Sequence, residues 1–289
     1  MDIQQRDVVF IDAYNLIYRA YHGNPAKLTN KEGLPTTAIY TTIKMLQNLP
    51  EKFNDIAYCV AVFDGGGNFR TEIDAEYKAN RKPMPEDLVQ QMPHIKEAFE
   101  ILGWPTFQAQ GVEADDVIGA LAKRAANKGF NTYIVSGDKD FRVLVDDNLH
   151  ILDTMQDICY DPHTVKEKMG IDSKNVTAYL ALLGDGTDNI IGVDKIGTKT
   201  AAKLLNEYGD LDGIRANQDK VKGVAGENLR AAFANGQIDK NMQLATLKTD
   251  INVHITVKDV KMKPVNTQRW VEFCEKMNFQ SFPKRAVKP

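Results

Sequence analysis

Two short apolar runs, residues 8–11 and 57–63, each end on an aspartate, Asp12 and Asp64. Between them, residues 36–49 repeat apolar side chains at helical spacing, so the chain opens as strand, helix, strand. Unbroken apolar runs of this length suit strands covered on both faces. Two strands joined by a helix lie parallel in one sheet. The alternation continues with a helix over 88–102 stopped by Gly103, a helix over 114–128 stopped by Gly129, and strands at 132–135 and 149–152. Beyond about Pro162 strands nearly disappear. This order predicts an α/β fold with a mostly parallel central sheet flanked by helices over residues 1–161, followed by a helical region over 162–289.

The acids fall at particular places on this map. Asp12 and Asp64 follow the first two strands, Asp138 and Asp140 follow the strand at 132–135, and Glu113, Asp115 and Asp116 open a helix. In a parallel sheet the carboxyl ends of the strands share one edge, where ligands bind at the switch in strand order. A lone Asp at such a position is commonly only a helix cap or a turn residue. Several termini carrying acids at one edge mean something else, because converging carboxylates repel and need cations. Oxygen-only donors select hard divalent ions, Mg²⁺ or Mn²⁺.

Composition excludes several alternatives. Cys59, Cys159 and Cys274 are an odd, scattered set without a CxxC pair, and the five histidines make no pair at metal spacing, so neither a disulfide framework nor a zinc site is expected. The apolar run near the start is too short for a signal segment or a membrane span, and the expected setting is a reducing cytoplasm, with no membrane partner. The formal charge of −3 argues against a nucleic-acid partner only until the acids assigned to metal are set aside, which leaves a modestly basic remainder. Its cations cluster: Arg70, Lys78, Arg81 and Lys82 stand near Tyr77 in a polar segment starting at Gly65, an interleaving that suits single-stranded nucleic acid.

Four stretches occur in register: Tyr77-Lys78-Ala79-Asn80-Arg81, Gly111-Val112-Glu113-Ala114-Asp115-Asp116, Ser136-Gly137-Asp138-Lys139-Asp140 and Gly184-Asp185-Gly186-Thr187-Asp188-Asn189. Together they resemble the 5′ nuclease (flap endonuclease) superfamily, and most of all the 5′–3′ exonuclease domain of bacterial DNA polymerase I. The resemblance implies a PIN-like fold with a helical arch at about 65–102. It implies a first metal site of Asp12, Asp64, Glu113, Asp115 and Asp116, and a second of Asp138, Asp140, Asp185 and Asp188. Lys78 and Arg81 match phosphate-contacting catalytic residues and Tyr77 an aromatic that stacks on the terminal base; Arg70, from the same basic segment, is expected as a further DNA contact.

Residues 190–208 look like a helix–hairpin–helix motif, with Gly192, Lys195, Gly197, Lys199 and Thr200 offered to duplex phosphates and a K⁺ ion implied at the turn. Lys195 stands where glycine is frequent. The expected function is a monomeric, Mg²⁺-dependent 5′–3′ exonuclease and flap endonuclease acting by two metal ions on branched or 5′-ended DNA and on RNA/DNA hybrid. A binding-only protein on the same fold and a metal-dependent ribonuclease or phosphohydrolase are the competing classes.

Overall fold

A computed structural model describes residues 7–53, 56–67 and 69–282; the basic tail from Pro283 lies outside the described residues. Six strands form one sheet in the order β3-β2-β1-β4-β5-β6. They are β1 (Asp7–Asp12), β2 (Ile56–Phe63), β3 (Thr106–Gln108), β4 (Asn131–Val135), β5 (Leu149–Asp153) and β6 (Ile158–Tyr160). Every pairing is parallel except β5 with β6. The chain winds outward from β1 to β3, then crosses back to β4 on the other side of β1. The switch therefore lies between β1 and β4, and the carboxyl ends of those strands flank a crevice.

The helices are α1 (Ala13–Gly23), α2 (Thr37–Asn48), α3 (Arg70–Ile73), α4 (Glu86–Ile101), α5 (Ala114–Ala126), α6 (Pro162–Met169), α7 (Val176–Leu183), α8 (Thr198–Tyr208), α9 (Leu211–Ala216), α10 (Gly223–Ala234), α11 (Gln237–Ala245) and α12 (Thr267–Lys276). Alternate residues of β1 serve opposite cores. Val9 and Ile11 pack with α1, α2, α4 and α12, whereas Val8 and Phe10 pack with α5 and with side chains of α6–α8. This two-sided burial is why β1 and β2 appear in sequence as unbroken apolar runs. Helices α6–α11 share the α5-side core with the sheet, whereas α12 packs on the opposite face.

One expectation is corrected here. The arch expected at about 65–102 does not extend through α4, whose Leu88, Ile95, Ala98 and Phe99 are buried in the core beside α2. The stretch that crosses the carboxyl edge of the sheet is 65–85, and its only helix among the described residues is the single turn α3. It lies against the C-terminal part: Lys240 pairs with Asp74, Asn189 Nδ2 donates to the Glu76 carbonyl, and Asn80 Nδ2 to the Gly186 carbonyl.

Between α7 and α8 a two-residue ribbon pairs β7 (Gly184–Asp185) with β8 (Ile190–Ile191). A side chain at Gly192 would stand 2.0 Å from the Leu183 carbonyl oxygen, so only glycine lets the chain pass there. The turn that follows is pinned by buried Val193 and Ile196. Lys195 holds φ +63°, the left-handed region that glycine occupies without strain, so the turn keeps its shape at a steric cost.

Candidate active site

The cleft at the carboxyl edge encloses about 840 Å³, and Asp12, Asp64, Asp115 and Asp138 line it together with Lys78, Arg81 and Lys82. These acids come from β1, the end of β2, the first turn of α5 and the end of β4, so the topology gathers them from four distant positions. Each of three is also a local cap. Asp12 Oδ1 accepts the Asn15 N–H that starts α1, Asp64 Oδ1 accepts that of Gly66, and Asp138 Oδ1 accepts that of Asp140. The capping and the cleft-lining roles thus coexist: one oxygen fixes the carboxylate on its own backbone, which orients the other. The second oxygen of Asp12 is aligned by the Ser136 hydroxyl, which also accepts the Asp138 N–H.

Electrostatics show strain in this arrangement. Burial, with Asp138 and Asp64 nearby, pushes Asp12 up to about 6 despite hydrogen bonds from Asn15 and Ser136 that oppose the shift. Burial and then the charges of Asp12 and Asp138 hold Asp115 well above the carboxylate range, although Lys78 opposes them. Asp140 is pushed to about 8 by burial and by Asp138, Asp188 and Asp185, and its Oδ1 is buried without a hydrogen-bond partner. Burial also raises Asp138, with Asp188 and Asp185 adding to it. Asp185 goes the other way. Its burial is outweighed by Lys139, 3.0 Å from Oδ2, and by the Thr187 N–H, which leave it depressed.

The couplings divide the acids into two neighbourhoods, Asp12, Asp64, Glu113 and Asp115 on one side and Asp140, Asp185 and Asp188 on the other, with Asp138 facing both. Among the described residues, no three of these acids already converge closely enough to hold one ion. Cations are interleaved with them instead. Lys78 pairs with Glu113 and stands 3.8 Å from Asp188, Arg81 pairs with Asp188, and Lys139 with Asp185. The donor set fits hard divalent ions: it is all oxygen, Asp140 Oδ1 is buried without a partner, and burial together with neighbouring charge raises Asp12, Asp115, Asp138 and Asp140.

Two residues expected to contact DNA are turned inward in this structure. Arg70 is 2% exposed and paired with Glu113 and Asp116, and Tyr77 is 6% exposed with its hydroxyl donated to Asp188. Neither is at the surface, because the crossing segment turns them inward to meet acids. Arg81 and Lys82 are exposed, as are Lys195, Gly197 and Lys199 at the turn and start of α8; Gly192 and Thr200 are half-buried.

Sequence reasoning missed one wall of the cleft. Tyr14, Tyr18 and His22, spaced one helical turn apart on α1, line it with Arg19 and Asp153. Asp153 ends β5, so the strand-end rule that selects Asp12 and Asp64 would also have found it. Its carboxylate is spent on the Met155 and Gln156 N–H groups and the Gln156 side chain.

Residues 7–170 match the family model described as the 5′–3′ exonuclease N-terminal resolvase-like domain, and residues 171–268 match its C-terminal SAM fold. A 5′–3′ exonuclease of Buchnera aphidicola is 34% identical, covering 97% of each chain. One of Aquifex aeolicus is 33% identical over 98% of this chain and 96% of its own. DNA polymerase I of Caldicellulosiruptor bescii is 36% identical over 96% of this chain, which spans 33% of that relative's length. Among solved structures, a bacteriophage T5 flap endonuclease in complex with DNA and metal ions superposes with a TM-score of 0.69 at 26% identity, over 84% of this chain and 90% of that one. The catalytic core of Rad2 with DNA substrate shares the fold, at a TM-score of 0.65 and 16% identity over 99% of this chain and 92% of that one. With both family models matched in sequence order across nearly the whole chain, this protein belongs to the 5′–3′ exonuclease family.

Proposed function

We propose that this protein is a structure-specific 5′ nuclease that hydrolyses DNA phosphodiester bonds at free 5′ ends and 5′ flaps, using two or more Mg²⁺ ions, for which Mn²⁺ substitutes. The observation that carries this reading is the set of buried, mutually repelling carboxylates at the switch between β1 and β4, two of them raised to about 6 and about 8. Such a site is electrostatically incomplete without added positive charge. Asp12, Asp64, Glu113 and Asp115 would hold one ion, and Asp138, Asp140, Asp185 and Asp188 the other. When bound, the ions supply an ionised water near neutral pH and neutralise the charge on the leaving 3′ oxygen.

The chain's own groups do the positioning. Backbone caps fix the rotamers of Asp12, Asp64 and Asp138 before any ion arrives. Tyr77 holds Asp188. Lys78 and Arg81, paired with Glu113 and Asp188 at the mouth of the cleft, would meet the scissile phosphate and stabilise charge that grows in the transition state. Residues 192–200 present backbone N–H groups, the α8 N-terminus and Lys195 and Lys199 to duplex phosphates, and the turn carbonyls offer K⁺ a site. In this reading residues 1–161 carry the chemistry and 162–289 the grip on the duplex. The protein acts as a monomer in DNA replication and repair, on RNA/DNA hybrid as well as DNA.

A labelled 5′-flap duplex and a blunt duplex, each titrated with Mg²⁺, test the proposal. Cleavage of the flap should rise with Mg²⁺, exceed that of the blunt duplex, and stop on chelation. Absence of cleavage at every Mg²⁺ and Mn²⁺ concentration would overturn it.

A further inference from the structure

The five N–H groups of Arg70 all have acceptors. Nε donates to the Leu244 carbonyl at 2.8 Å; Nη1 donates to Glu113 Oε2 and, at 2.9 Å, to Asp116 Oδ2; Nη2 donates to Asp116 Oδ1 at 2.8 Å and to the Thr246 carbonyl at 2.7 Å. Asp116 is 1% exposed, and its Oδ1 also accepts the Lys248 N–H at 2.8 Å. One planar cation thus joins three segments distant in sequence: the start of α3, the first turn of α5, and the chain leaving α11. Only an arginine fork reaches this set, because a lysine ammonium lacks the planar pair of donors that grips both oxygens of one carboxylate.

Asp115 and Asp116 are neighbours with opposite fates. Asp115 lines the cleft, whereas Asp116 faces away from it into the guanidinium, with three donors on its two oxygens. We infer that Arg70 and Asp116 are a positioning clasp, and that Asp116 does not ligate an ion. The clasp sets where Glu113 and the Asp115 turn of α5 stand relative to the C-terminal helices. This inference rests on the divalent-ion reading of the cleft. It makes a distinction the acidic sequence pattern cannot, since both residues are aspartates in one helical turn.

The test counts Mn²⁺ ions bound to metal-free protein by electron paramagnetic resonance. It also measures the single-turnover rate per folded molecule on one 5′-flap substrate, for the wild type, Asp115→Asn, Asp116→Asn and Arg70→Lys. Asp115→Asn should lose an ion. Asp116→Asn and Arg70→Lys should keep the wild-type number, while the rate or the Mn²⁺ midpoint worsens by about 10–100-fold, the usual effect of disturbing groups that orient ligands. Loss of an ion in Asp116→Asn would make it a ligand and overturn the inference while leaving the divalent-ion reading intact. A lowered melting temperature with unchanged midpoint and unchanged rate per folded molecule would also overturn it, by making the clasp merely structural. If the wild type bound no Mn²⁺, the divalent-ion reading would fall, and this inference with it. Asp116→Asn preserves side-chain shape, so it carries the test should Arg70→Lys fail to fold.

Discussion

The Tyr77 hydroxyl donates to Asp188 Oδ2 at 2.9 Å, tying the segment that crosses the cleft to the loop at 184–189. Buried as it is, this ring does not offer a face to a nucleic-acid base; what it contributes is the hydroxyl. Tyr77→Phe should therefore be felt. Loss of a hydrogen bond to a charged group costs roughly 1.5–3 kcal/mol, seen as a lowered denaturation midpoint, together with a slower single-turnover rate. A stacking platform would instead tolerate phenylalanine, and a Tyr77→Phe variant of wild-type stability and rate would contradict the burial-based role.

Lys78 stands between Glu113 and Asp188, carboxylates proposed to hold one ion each. Lysine and ion compete for the same carboxylates, so Lys78→Ala should tighten Mn²⁺ binding while lowering the saturated single-turnover rate by about 10²–10³. Arg81→Ala should behave alike, Arg81→Lys should retain part of the rate, and Lys82→Ala should change little. Weaker Mn²⁺ binding in Lys78→Ala would show that the amine supports the ion site rather than exchanging with it.

Stability of the metal-free protein should depend on pH in an unusual sense. Asp12 and Asp140 have folded-state values of about 6 and about 8, above the ordinary carboxylate value, so the folded state holds more protons than the unfolded one. Their contribution is complete below about pH 4 and is lost as pH rises through about 6 and then about 8. Melting in chelator should fall between pH 5 and pH 8. Saturating Mg²⁺ should flatten the profile by supplying the missing charge. Depressed carboxyls such as Asp185 act in the opposite direction, but at lower pH, outside this window. A metal-free melting temperature that rises from pH 5 to pH 8 would contradict the account.

Lys195 carries a left-handed φ of +63° at the turn before α8. Lys195→Gly should relieve that strain and stabilise the fold by up to ~1 kcal/mol, offset partly by the flexibility of glycine in the unfolded chain. The same variant should bind duplex slightly less well at low salt through loss of one charge. Calorimetry decides the first point, and a clear loss of stability would mean that the lysine side chain has a structural partner in solution.

Much of this architecture is legible in sequence because a parallel sheet imposes it. Unbroken apolar runs mark strands covered on both faces, and the acids that end them must share an edge, so Asp12, Asp64 and Asp138 could be placed together without coordinates. The short strands β3 and β6 carry too few residues for a periodic signal, and the ribbon at Gly184 and Ile191 is two residues a side. Arg70 and Tyr77 were illegible for a different reason. A cation or an aromatic in a polar segment has the same composition whether it faces solvent or turns inward to a buried carboxylate, and only the tertiary path of residues 65–85 distinguishes the two. The extent of the crossing segment was hidden likewise, since the apolar face of α4 does not announce which layer it joins.

The most direct test of the central claim is Asp115→Asn. Asp115 lies in the cleft, where burial and the charges of Asp12 and Asp138 hold it well above the carboxylate range. Removing its charge should unseat an ion needed for the nucleophile and, at the same time, reduce repulsion toward phosphate. Single-turnover cleavage of a 5′-flap duplex at saturating Mg²⁺ should fall by orders of magnitude, while flap affinity measured in Ca²⁺ holds or tightens. Near-normal turnover in Asp115→Asn would contradict a metal-dependent nuclease centred on these carboxylates.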